Sequence, residues 1–216
     1  MKPLKKDKKS TSIHIFLLFI VISVLVWSGI KPDTYRDWAL EVFPAVLGLV
    51  ILLSTYKKFG FTTLAYVIIA ILCILTFVGG HYTYAKVPLF NWIKEEFHLN
   101  RNHYDRFGHF LKGLLAIVIR EIIIRKTELK KGFWVNTFVL SAVLAIAALY
   151  EIIEWLVSKI AHGGKAAKDF LGTQGDIWDT QWDMSLSFIG AILALLIFSK
   201  YHSRLITKLS RYPKDT

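Results

Sequence analysis

The sequence predicts an all-α, polytopic membrane helix bundle with six transmembrane helices and an outer interfacial helix between the third and fourth. Three observations predict it. Of 216 residues, 54% are hydrophobic and the mean hydropathy is +0.45, above the roughly 45–50% apolar content of soluble domains. Apolar runs recur between polar breaks, at about the 20-residue length that a helix needs to cross a hydrocarbon core. Lys and Arg, finally, separate onto alternate loops.

The first span covers residues 13–30 and ends at the break Lys31, Pro32 and Asp33. Its basic flank resembles a secretory signal, but the apolar run is longer than an ordinary signal core and no small-residue cleavage site follows. The segment reads as an uncleaved anchor. The second span, 38–56, carries Pro44, which predicts a kink, and is closed by Lys57, Lys58 and Gly60. The third, 61–78, closes at Gly79 and Gly80. Residues 88–99 then place Leu89, Trp92, Ile93 and Phe97 near one helical face, the pattern of an interfacial helix. The fourth span, 107–124, contains His109 and Lys112. The fifth, 133–157, contains Glu151 and Glu154. The sixth reaches full length only when its helix starts near Asp176, giving 177–199. No internal repeat, linker or low-complexity tract interrupts the chain, so residues 1–216 are expected to form a single membrane domain.

Seventeen of the 27 basic residues fall on one side of this topology, together with only four of the 16 acidic residues. Short basic loops stay cytoplasmic, so both termini are expected on the cytoplasmic side of the membrane. The net charge of +11 is therefore a topological signal, and a nucleic-acid partner is not expected. The lone Cys73 excludes a disulfide framework and a cysteine metal cluster.

Charges within spans are costly and mark partners, water or function. At about 1.5 Å per residue, Glu151 and Glu154 lie about 27 and 31 Å along their helix, near its outer end. His109 and Lys112 lie in the first outer turns of the fourth span, His81 follows the third, and Asp176, Asp179 and Asp183 lead into the sixth. All occupy one outer layer. Asp176, Asp179 and Asp183 share a helical face, as do Asp105, His109 and Lys112. The Asp183 face continues through Ser187, Gly190 and Ala194, small residues that let another helix approach closely.

Carboxylates crowded in low dielectric must be protonated, paired with cations such as Arg106 and Lys112, or bound to metal. The expected ligands of a divalent metal are Glu151, Glu154, Asp179, Asp183 and His81, with Asp176, His109 and Lys112 as the catalytic groups. Plainer readings exist for each. Asp176 suits a helix N-terminus, Lys112 a structural counter-ion, the tryptophans interface anchors, and Arg120 with Glu121 a pair at the cytoplasmic surface.

At these residues the chain resembles the YjdF-like family of uncharacterised bacterial inner-membrane proteins, over nearly its whole length. The resemblance is carried by Gly79-Gly80-His81-Tyr82-Thr83-Tyr84-Ala85, Tyr104-Asp105-Arg106, Gly108-His109-Phe110 and Tyr150-Glu151-Ile152-Ile153-Glu154-Trp155. It is strongest through Phe170-Leu171-Gly172-Thr173-Gln174-Gly175-Asp176-Ile177-Trp178-Asp179-Thr180-Gln181-Trp182-Asp183-Met184. It implies a multi-pass membrane protein and no particular chemistry. The residues themselves predict a metal-dependent hydrolase or transferase acting on a lipid or lipid-linked substrate from the outer face. A cation or proton transport or sensing module is the alternative, and a structural membrane scaffold the second alternative.

Overall fold

The structure, a computed structural model, describes residues 8–160 and 174–211. The described residues are all-helical: α1 (Lys8–Ser28), α2 (Tyr35–Thr55), α3 (Thr63–His81), α4 (Pro88–Glu96), α5 (Tyr104–Lys112), α6 (Leu115–Lys126), α7 (Phe133–Ile160) and α8 (Asp179–Arg211). Residues 170–173 of the strongest stretch of the resemblance, and the basic residues before Lys8 and after Arg211, lie outside these residues.

Five of the helices, α1, α2, α3, α7 and α8, are long and apolar enough to cross a membrane. Their outward faces suit such a setting, since Phe19, Phe43, Leu149 and Leu196 are all more than half exposed. Local chemistry sets several of their boundaries. Thr34 caps α2 by accepting from the Asp37 amide, Thr62 caps α3 by accepting from the Ala65 amide, and Pro88 opens α4 where its missing N–H costs nothing. α2 continues through Pro44 as one helix. At about 1.5 Å per residue α8 is about 50 Å long, so it projects beyond a roughly 30 Å core. The helix starts at Asp179, three residues after the expected start near Asp176, and runs on past residue 199 to Arg211.

The fourth expected span is not one helix. Its hydrogen bonds tighten to the i+3 pattern at the junction, from the Gly113 amide to Phe110 and from the Leu114 amide to Leu111, dividing it into α5 and α6. The cause is contact with α8. A Cβ on Gly113 would collide with the backbone of Gly190 and Ala191, and one on Gly190 with the Phe110 carbonyl. The small-residue face read from the sequence thus packs backbone against backbone.

The helices form two layers. α1 and α2 pack on α3, around Val21, Val42, Leu49 and Phe77. α5, α6 and α7 pack on α8, and a second core joins Ile68 and Leu72 of α3 to Ile117, Val139 and Ala194.

Candidate functional site

The close α5–α8 approach carries Asp105 and His109 against Asp183. Ser187 reinforces it by donating to the His109 carbonyl at 3.1 Å. One carboxylate oxygen each from Asp105 and Asp183 and a ring nitrogen of His109 lie within 4.8 Å of one another. His109 is 1% exposed and Asp183 2%.

Histidine orientation follows from its neighbours. Lys112 Nζ lies 2.9 Å from His109 Nε2, and an ammonium can only donate, so Nε2 accepts and the ring is neutral. The ring proton then sits on Nδ1, beside the backbone of Asp183 and 3.5 Å from the Ser187 hydroxyl. A backbone carbonyl behind one nitrogen, with the other turned towards carboxylates, is the arrangement that readies imidazole as a metal ligand. Asp105 and Glu151 oxygens lie 3.6 and 3.8 Å from Nε2.

Two buried carboxylate oxygens in this cluster, Glu151 Oε1 and Asp183 Oδ1, have no hydrogen-bond partner among the described residues. A buried polar atom left unpaired costs about 1–3 kcal/mol, more when charged. Glu154 lies within electrostatic range of Asp105, Glu151 and Lys112. Glu41, buried on α2, accepts from the Tyr150 hydroxyl at 3.2 Å. Lys112 Nζ rests 4.3 Å from the Tyr150 ring centre, closing the cluster from below. The expected Glu151, Glu154, Asp183, His109 and Lys112 therefore meet, and they are joined by Asp105 and Glu41. Glu41 was missed in the sequence, although it is the one acid of residues 38–56 and a lone charge in an apolar span could have signalled it.

Asp179 and Asp176 have different partners. Arg101 pairs with Asp179 and Arg106 with Asp176, and a second Arg106 contact reaches Asp179 at 3.5 Å. The Trp178 amide and then Arg106 hold the Asp176 carboxyl below its ordinary pKa, whereas burial and the two arginines lower that of His103. Gln174 clamps this layer through its side chain, accepting from the Asn102 amide and donating to the Asn102 carbonyl, both at 2.9 Å. Asn102, missed in the sequence because a lone amide carries no pattern, also donates to Val87 and Asn91.

His81 has other partners. Its Nδ1 lies 3.0 Å from the Ser28 carbonyl and its ring 4.5 Å from that of Trp27. The motif around it makes a turn: Thr83 and Tyr84 have positive φ, and the Tyr84 amide donates to the Gly79 carbonyl at 2.8 Å. The Tyr84 ring then covers Gly79, where a Cβ would meet it at 2.5 Å.

Arg120 and Glu121, towards the opposite end of the bundle, do not pair with each other. The Glu121 carboxylate accepts from the Thr62 amide at 2.9 Å and from its hydroxyl at 2.7 Å. It also accepts from Arg125 at 2.6 Å and His202 at 3.0 Å. Arg120 instead donates to His202 and Ser203. The reason is phase, since adjacent residues on a helix point in different directions.

Residues 13–204 match a family described as a predicted membrane protein, DUF2238. The chain is similar to the inner membrane protein YjdF of Escherichia coli (strain K12), at 40% identity over 182 residues, covering 84% of this chain and 86% of that one. No solved structure matches the chain.

Proposed function

The chain belongs to the DUF2238 family of predicted membrane proteins, and we propose that it is a metal-dependent hydrolase or transferase of the bacterial inner membrane, acting on a lipid or lipid-linked group. One observation carries this reading. Asp183 and Glu151 each bury an unpartnered carboxylate oxygen beside a neutral imidazole whose Nε2 faces them. Oxygen and imidazole donors without thiolate suit zinc, manganese, iron or magnesium. Asp105, His109 and Asp183 would hold a cation, with Glu151 alongside, and a bound divalent ion would supply an activated water. Glu151 is the buried carboxylate placed to take up a proton there, and Lys112 the cation placed to face negative charge on a substrate. His81 has no part in this centre.

The surrounding height favours a lipid. Exposed Trp92, Trp155, Trp178 and Trp182 ring this end of the bundle, where aromatic side chains settle at headgroup level. In this reading the whole chain forms one membrane domain. α5 and α6 together make the fourth of six crossings, α4 lies in the outer interface on Leu89 and Trp92, and both termini are cytoplasmic. Single cysteines at Lys57 and His98 should then react with an impermeant maleimide from opposite sides.

Elemental analysis of the protein purified in detergent tests the centre. Stoichiometric metal, lost together with hydrolysis of lipid phosphate or acyl esters in Asp183→Asn and in His109→Gln, is the expected result. Full metal content in the correctly inserted double variant overturns it. The buried Glu121–His202 pair favours a second reading, cation or proton transfer, because it sets ionisable groups in the inner half as well. Residues 113–119 between the clusters are uncharged, and cation flux in proteoliposomes that depends on both Asp183 and Glu121 would select this reading. Variants that only lose the fold would select the scaffold.

A further inference from the structure

A cavity of about 780 Å³ lies between α2, α3, α6 and α7, within the range of roughly 300–1,000 Å³ typical of single-ligand pockets. Its walls are apolar along most of their length, through Ala45 and Leu52 of α2, Val118 and Ile122 of α6, and Val143 and Ile146 of α7. α2 packs chiefly on α3, which leaves the groove open towards the bilayer below the Tyr150–Glu41 bond. Gly48 keeps the middle wide, since a Cβ there meets nothing within 4 Å.

The two ends differ in charge. At one end stand Glu41, His109 and Lys112, with Asp105 and Glu151 close behind; at the other stand Lys58 and Lys126. Among the described residues neither of these two lysines forms a salt bridge with a carboxylate. The one acid of α6, Glu121, is saturated by Arg125, His202 and Thr62, and Glu128, exposed just beyond α6, forms no salt bridge among the described residues. Lys126 Nζ lies 5.2 Å from the Phe59 ring centre, above the groove floor. From Glu41 to Thr55 the α2 wall spans about 21 Å at 1.5 Å per residue, more than the roughly 15 Å depth of one leaflet's hydrocarbon.

We propose that this groove holds one anionic phospholipid, with its phosphate between Lys58 and Lys126 and one acyl chain running along α2 to end beneath Lys112. The carboxylates at the far end repel a phosphate, so the charge pattern sets the orientation. The chain of this lipid, and not its headgroup, meets the acidic cluster. It is therefore distinct from any substrate of that cluster, and the inference does not depend on metal chemistry.

Native mass spectrometry of the full chain in mild detergent, supplied with phosphatidylglycerol or phosphatidylcholine of matched chains, tests this. One phosphatidylglycerol per chain is the expected result. At about fivefold per lysine, the anionic preference is about thirtyfold and disappears in Lys58→Gln with Lys126→Gln. Gly48→Leu, which fills the groove, loses both lipids, while Gly48→Ala keeps them and controls for folding. Unchanged preference in the double lysine variant overturns the proposal. So does undiminished lipid in Gly48→Leu, or loss of lipid in His109→Gln with the lysine variants unaffected, which would place the headgroup at the acidic end.

Discussion

Two of the buried polar clusters among the described residues, one around Glu121 and one around His109, are built to different rules. In the first, both oxygens of Glu121 are paired, and the ring of His202 bridges Glu121 and Arg120. In the second, five carboxylates, on Glu41, Asp105, Glu151, Glu154 and Asp183, share a single lysine, and two of their oxygens have no hydrogen-bond partner among the described residues. A saturated network joins α3, α6 and α8 and has no capacity left for a ligand. The His109 cluster carries surplus negative charge in low dielectric, which a cation or protons must neutralise. Packing alone explains the first cluster and not the second.

The sharpest way to break this contrast is to remove one acid from each cluster. Glu121→Ala strands Arg125 and His202 and should cost about 3–5 kcal/mol. Asp183→Asn removes an unpartnered carboxylate and should leave thermal stability unchanged or raised. Equal losses in detergent melts would make both clusters structural.

Metal addition separates them next. A divalent cation at about a hundredfold excess over its Kd should stabilise the native protein by about 2.7 kcal/mol. That gain should vanish in His109→Gln and persist in His202→Gln, read as the shift in melting temperature.

Backbone contact is the third lever. Gly190→Ala pushes α8 off Phe110 and should cost about 1–3 kcal/mol, with a parallel loss of bound metal. Gly48→Ala, facing open space, should stay within about 0.5 kcal/mol of wild type.

The smallest effect concerns Asp176. Its folded-state pKa is depressed, so its contribution is present above the unfolded value of about 3.9 and is lost as pH falls through the folded one. Trp178 emission should therefore shift on acidification below about pH 4 in wild type and not in Asp176→Asn, whereas Glu121-dependent helix protection should be unaffected.

Much of the His109 cluster was legible from spacing and depth. Glu151, Asp183, His109 and Lys112 share one layer because each helix has a fixed rise and a known direction, and those two facts place a charge without any knowledge of neighbours. Azimuth was not legible. His81 occupies the same layer, yet its turn aims it at Ser28 and Trp27, and Arg101 and Arg106 take Asp179 and Asp176 as partners. Glu41 lies more than sixty residues from its neighbours in the cluster, and only the packing of α2 brings it in. Arg120 and Glu121 look like a pair in sequence, but helical phase directs them to different partners.

Composition, run length and the distribution of lysine and arginine by themselves determine that this chain is a helical membrane protein with polar groups gathered towards one end, because bilayer thickness and backbone hydrogen bonding act on each helix alone. Tertiary structure decides which of those groups meet. The contact between Gly113 and Gly190 breaks the fourth span, sets α5 against α8, and brings Asp105 and His109 to Asp183. That outcome depends on how two helices fit together, a pairwise property that the periodicity of either helix does not contain.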